Sequence, residues 1–382
     1  MEGVPPDGAR SPSPFFVRAG QNVWAKLSGD GLKAPTESKR TEDLPIGGQA
    51  VIEGVMMRAD KRIVTAVRIP DGQIVVHEEI HDPWSRRLGV HRVPVMRGAV
   101  AFLEMMIVGL RTLNISADVA MHAERKERGL EPEIEAASSW KNRLALAATL
   151  VVSLGLGIGV FFFLPLAAAQ ATGAAKGALQ FNLIAGAVRT TILIAYMWGI
   201  GHWSDIRRVF EYHGAEHKSI FTMEAGADLT VDEARGFGRL HPRCGTSFLL
   251  IVVLISILVF ALVDSAFVDV FGHAQSLLER FLTHMSVLPL ISGISFELLK
   301  LSGRKRNHPL TKVLIKPGLW LQRITTKEPA DDQIEVALVA LRLALGQPVS
   351  QRYVGLTEWR QSLVTTTAQP APAPAQATRG SV

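Results

Sequence analysis

Four stretches of this chain are apolar enough to cross a hydrocarbon layer about 30 Å thick, which takes roughly 20 residues of helix. They run about Leu144 to Ala169, Leu183 to Gly201, Ser247 to Phe271 and Phe281 to Leu301. A backbone in lipid must satisfy its own polar groups, so such segments read as helices packed in a bundle. The fourth is the weakest, because His284, Pro289 and Glu297 interrupt it. Composition agrees: 48% hydrophobic residues, 20% charged and a mean hydropathy of +0.20 are too apolar for an average soluble domain.

Lysine and arginine near the span ends set the expected orientation. Arg125, Lys126, Arg128, Lys141 and Arg143 precede the first span. Arg207, Arg208, Lys218, Arg235, Arg239 and Arg243 lie between the second and third, and Arg304, Lys305, Arg306, Lys312 and Lys316 follow the fourth. The connectors Gln170 to Asn182 and Gly272 to Arg280 are nearly free of cations. Both termini and the 203–246 connector are therefore expected on the cytoplasmic side of a plasma membrane. The net charge of +6 follows this asymmetry and does not form a stripe with aromatics, so no nucleic-acid partner is expected; the lipid bilayer is the expected one. A single cysteine excludes an internal disulfide framework.

The expected fold is mainly α: about four transmembrane helices, an interfacial helix and a small N-terminal cytoplasmic β-hairpin module. Residues 1–44 mix Pro, Gly, Ser and both charge signs without an apolar signal-peptide core, and are expected to be disordered. In 45–94, Arg62 to Arg68 and Gln73 to Ile80 flank the turn Pro70-Asp71-Gly72, which predicts the hairpin. In 95–142, a helix from Val95 to Arg125 has an apolar core too short to span, interrupted by Glu104, and reads as interfacial or buried, with a re-entrant segment as the alternative. The bundle occupies 143–302. A cytoplasmic segment, 303–364, carries a helix capped by Asp331 and running to about Leu345, and 365–382 is an Ala/Pro/Thr/Gln tail.

The residues with chemistry lie in the 203–246 connector. His213 and His217 stand four apart, which on a helix places both imidazoles on one face, and Glu216 gives the H-x-x-E-H order in which a carboxylate stands beside two metal-binding histidines. His241 and Cys244 follow in His-Pro-Arg-Cys. A His/His/His/Cys set suits zinc or another borderline divalent cation. If all four bind, the site is a closed staple. If three bind, Glu216 is placed as a general base; it could equally orient a ligand imidazole. Cys244 as a nucleophile with His241 as its base uses the same residues but leaves the first cluster idle.

Other groups are weaker candidates. Thr246 or Ser247 is the expected N-cap of the third span, where Arg243 could help to hold an anion or simply anchor the helix to headgroups. Lys218 adjoins the motif. Arg189 and Glu297 are ionisable groups inside spans that could pair, or Glu297 could approach the metal loop; Asp264 and Asp269 read as the wet outer end of the third span. Glu53 sits in the Gly47 to Gly54 run, which reads first as a tight turn entering a strand and second as a binding loop.

The runs Ile46 to Arg58, His213 to Lys218, Leu240 to Ser247, Gly293 to Glu297 and Pro317 to Gln322, in this order, resemble the YqhQ-type bacterial membrane proteins from about Leu44 to Leu345. That resemblance implies a multi-span protein of the bacterial inner membrane, in a family of unknown function described as a predicted metal-dependent enzyme. Three functions stay open: a zinc-dependent membrane hydrolase of unknown substrate, a non-catalytic assembly or scaffold protein, and a transporter.

Overall fold

The structure, a computed structural model, describes residues 46–130, 140–173, 178–242, 244–304 and 309–367. The disordered segment expected over 1–44, Arg243 and nearly all of the expected tail lie outside them. Among the described residues the chain is mainly helical, with a five-stranded sheet near its start.

Strands β1 (Ile46–Val51), β2 (Gly54–Ala59), β3 (Arg62–Arg68) and β4 (Ile74–Ile80) form an antiparallel meander. The expected hairpin is its β3–β4 half, Gly72 taking the left-handed conformation that the turn requires (φ 85°). Two strands precede it, and β5 (Tyr353–Gly355) adds to β4 in parallel from the far end of the chain. A lone hairpin is marginal in water, and the period-two pattern shows why this one needs partners. Val55, Met57, Val64, Ala66, Ile74 and Val76 pack under two helices, whereas Met56, Ile63, Val67 and Val75 face a third.

After the short α1 (Trp84–Arg87) come α2 (Met96–Glu127), α3 (Trp140–Ile158), a π-helical turn over Gly159–Phe163, α4 (Leu164–Ala171) and α5 (Ala178–Ile200). Then follow α6 (Ser204–Glu224), α7 (Val231–Arg235), α8 (Gly245–Phe271), α9 (Leu277–Ser286), α10 (Leu288–Arg304), α11 (Pro309–Thr325), α12 (Asp331–Ala344) and α13 (Leu356–Thr367). α6 and α12 cover one sheet face through Tyr212, Ala215, Ile334, Ala337, Leu338 and Leu341. α2 covers the other through Val108, Val119 and Ala123, the last two beside Trp359 and Leu363 of α13.

Among the described residues, four helices are long and apolar enough to cross a membrane: Met96–Glu127, Ala147–Ala171, Ala178–Ile200 and Phe248–Phe271. The set differs from the expected one at two places. The expected fourth span is a bent pair, Leu277–Ser286 and Leu288–Leu301, 47° apart, which would make a fifth. The break falls just before Pro289, which lacks an N–H and disfavours helix in the residue preceding it. α2 qualifies because its apolar stretch is longer than the sequence suggested, and Glu104 does not interrupt it. That carboxylate is buried toward the sheet, 2.8 Å from the Arg58 guanidinium, and accepts the Trp84 N–H at 2.7 Å.

Three further expectations are corrected. The N-cap of α8 is Cys244, whose sulfur accepts the Thr246 N–H at 3.4 Å, in place of Thr246 or Ser247. α12 is capped at Ala330, whose N–H donates to Gln333 Oε1 at 2.9 Å, while Asp331 faces Arg235. Asp264 is buried within the bundle at 2% exposure and is not wet.

Candidate metal centre

α6 presents His213, Glu216 and His217 from one helix because positions three and four apart share a face. Gly214 is what lets the chain approach: a Cβ there would lie 2.1 Å from the Lys327 carbonyl oxygen. Lys327 N–H in turn donates to the Phe210 carbonyl at 2.8 Å, locking the segment after α11 onto α6. Cys244 arrives from a different element, at the start of α8.

Both imidazoles are fixed by the same device. His213 Nδ1 donates to the Thr325 carbonyl at 2.9 Å, and His217 Nδ1 donates to the Arg239 carbonyl. A carbonyl can only accept, so in each neutral ring Nε2 keeps the lone pair. His213 Nε2 lies 3.1 Å from Cys244 Sγ, while His217 Nε2 is buried with no hydrogen-bond partner among the described residues. The ligating atoms of His213, His217 and Cys244 all lie within 4.8 Å of one another. A lone pair beside a second nitrogen and a sulfur, each ring braced by a main-chain carbonyl, is a donor set that could hold a divalent cation such as zinc.

The electrostatics agree. Burial pushes the His217 imidazole down, against the pull of a Cys244 thiolate, so the ring and the thiol share one proton-binding balance. Burial opposes ionisation of the Cys244 thiol, but His217 and the Thr246 hydrogen bonds outweigh it and bring the thiol below its usual range. Burial pushes Glu216 up to about 7, against the opposing pull of His213 and of the Gly48 N–H. Gly48 is required here, since a Cβ would sit 2.9 Å from Glu216 Oε1.

His241 stands apart from the other three. Its ring is 5.6 Å from that of His217 and its Nε2 donates to Glu224 at 3.2 Å, because the 240–242 backbone is held elsewhere. Gln322 of α11 holds it: Oε1 accepts the His241 N–H and Nε2 donates to the His241 carbonyl, both at 2.8 Å. Lys218 points away from the cluster to the Arg235 carbonyl (3.1 Å) and Glu328 (2.6 Å). Glu297 joins neither the cluster nor Arg189; it pairs with Arg97, Nε to Oε1 at 2.7 Å. Glu53, at φ 52° in the β1–β2 turn, forms a forked pair with Arg208 on α6. The residues that the motifs missed are Glu224, Gln322 and the backbone of Gly48, Arg239 and Thr325. Gln322 and Gly48 had a signal, since both fall in the runs that carry the family resemblance.

Residues 93–347 match the family described as "Protein of unknown function (DUF1385)". The chain is 35% identical over 298 residues to "Uncharacterized protein YqhQ" of Bacillus subtilis (strain 168), covering 76% of this chain and 89% of that protein. No solved structure matches.

Proposed function

The chain belongs to the DUF1385 family of proteins of unknown function, and from that premise we propose a multi-pass inner-membrane protein whose cytoplasm-facing metal centre hydrolyses an amide or ester. The single observation that carries this reading is the convergence of one ligand atom each from His213, His217 and Cys244 within 4.8 Å of one another. Three candidate spans, Ala147–Ala171, Ala178–Ile200 and Phe248–Phe271, together with the bent pair Leu277–Ser286 and Leu288–Leu301, support the membrane assignment, and the cation-rich connectors beside the centre support its cytoplasmic side.

α2 lies in the interface plane in this reading. One face is committed to the sheet by Glu104, Val108, Ser116 and Val119, while Leu103, Met106, Leu110 and Leu113 are exposed along the other. Phe102 meets Phe248 at the start of α8, ring centroids 5.7 Å apart, which sets α2 at the level where that candidate span begins.

His213, His217 and Cys244 would hold the cation, which when bound supplies Lewis acidity toward a carbonyl or water oxygen. Three ligands leave room for substrate. Glu216, steadied by the Gly48 N–H and with an affinity for protons set near neutrality, takes a proton at Oε1 from the attacking water and returns it to the leaving group. The Thr325 and Arg239 carbonyls keep both rings in the tautomer that this needs.

Purified protein should carry about one equivalent of divalent metal, and His217→Ala should reduce it to background. Equal, negligible metal in both removes the premise. The depth of the site favours a second reading, a structural staple: Glu216 is 6% exposed and His217 1%. Glu216→Gln separates them, since an enzyme keeps its metal and loses turnover of amide or ester substrates, whereas a staple keeps metal and cellular function alike.

A further inference from the structure

A second polar cluster lies inside the helical bundle, about 30 Å along α8 from Cys244 at 1.5 Å per residue. Asp264 of α8 is its anion. His284 Nε2 donates to Asp264 Oδ1 at 2.8 Å, Asn182 Nδ2 of α5 donates to Oδ2 at 2.7 Å, and Arg280 of α9 stands 3.8 Å from Oδ2. His284 is fully buried, its ring stacked on Phe260 at 3.8 Å with 2° between the planes. Arg189 of α5 lies 5.7 Å from the Phe260 ring and 5.7 Å from that of Phe162 in the π-helical turn, and its Nε donates to the Phe161 carbonyl.

Among the described residues, four buried polar atoms here have no hydrogen-bond partner: His284 Nδ1, Arg280 Nε, Arg189 Nη2 and Gln275 Oε1. The first decides the chemistry. With Nε2 donating to a carboxylate, the neutral ring leaves Nδ1 as a bare lone pair, and a proton added there makes an imidazolium that faces Asp264 and lies on the Phe260 π-face. Among the described residues, the added charge is opposed by Arg280 and Arg189, the cations facing the ring's surroundings from α9 and α5; Phe162 of the π-helical turn adds no charge. A proton needs no cavity, and buried Asp/His pairs inside membrane helices are where proton relays are built.

We propose that His284, held by Asp264 and opposed by Arg280 and Arg189, is a proton-binding site at the end of the bundle away from the His213 centre. It shares with the reading above only the assignment of these helices to the bilayer. The site also occupies the broken helix: Arg280 and His284 both project from α9, about two turns and one turn before the 47° bend into α10. Loading the proton changes the charge on the element best placed to move.

The test is a pH titration of the full chain in detergent micelles, with 15N-labelled histidine read by NMR and the His284 resonance identified by its loss in His284→Gln. Detergent keeps the result separate from membrane insertion, and unchanged His213 and His217 signals certify the fold of each variant. The expected result is a His284 ring that passes from neutral to doubly protonated on acidification. Asp264→Asn should weaken its proton affinity about tenfold or more, and Arg280→Gln should strengthen it. A ring that keeps one protonation state throughout overturns the proposal, as do variants that shift it in the same direction, which loosened packing would produce.

Discussion

The two histidine clusters of this molecule differ in which ring nitrogen is already taken. At the α6–α8 junction a main-chain carbonyl occupies Nδ1 of both His213 and His217, His213 Nε2 lies 3.1 Å from the Cys244 thiol, and ligand atoms of the three residues lie within 4.8 Å of one another. Inside the bundle a carboxylate occupies Nε2 of His284, and the other nitrogen faces no second ligand. Converging lone pairs suit a cation; a single lone pair next to an anion suits a proton. Residue type is the same in both, and the partner of the opposite nitrogen assigns the chemistry.

That contrast can be broken most forcefully at the shared core under the first cluster. Leu338 is fully buried between α12 and the sheet, so Leu338→Ala should destabilise the sheet-bearing half by about 2 to 5 kcal/mol in denaturant unfolding. The His284 titration should be unmoved; a coupled change would mean that the two regions are one cooperative unit.

Glu216 gives the next largest effect. In the chelator-treated fold it holds its proton to about pH 7, against 4.5 for an ordinary glutamate, so the unfolded chain binds fewer protons between those values. Its contribution is therefore complete below about pH 4.5 and lost as pH rises through 7, a decline of about 3 kcal/mol. Thermal unfolding across that window should show the slope, and Glu216→Gln should flatten it. A slope of opposite sign would mean that the carboxylate is stabilised as the anion.

Gln322→Ala releases the 240–242 backbone without touching a proposed ligand. Metal affinity, measured by competition with a chelator, should fall about 10- to 100-fold, as for loss of an outer-shell brace. Unchanged affinity would show that Cys244 is positioned by the cap of α8 alone. Glu53→Gln is the smallest: the Arg208 pair is half exposed, so the change should cost less than about 1 kcal/mol in the same unfolding assay. A larger loss would make the β1–β2 turn part of the centre.

Much of this was legible in the residues, and the failures have physical causes. The hairpin turn, the apolar segments and the His213/Glu216/His217 face follow from local periodicity. Strands β1 and β2 were not delimited because Gly47, Gly48 and Gly54 break up the β-branched residues between Ile46 and Ala59, so the run reads as a tight turn entering a strand. Asp264 read as wet because its position along α8 says nothing of what stands opposite; Asn182 and His284 come from other helices. His241 read as a fourth ligand because proximity in sequence resembles proximity in space, and Glu224 and Gln322 hold it elsewhere.

The amino-acid sequence alone determined which segments must leave water and which two imidazoles share a helix face, because both follow from interactions within a few turns of one element. Tertiary packing alone decided that Cys244 joins them, that His241 turns to Glu224 and that His284 finds Asp264. Those pairings link residues 20 or more apart, or elements meeting only in the folded core, and no local propensity carries that information.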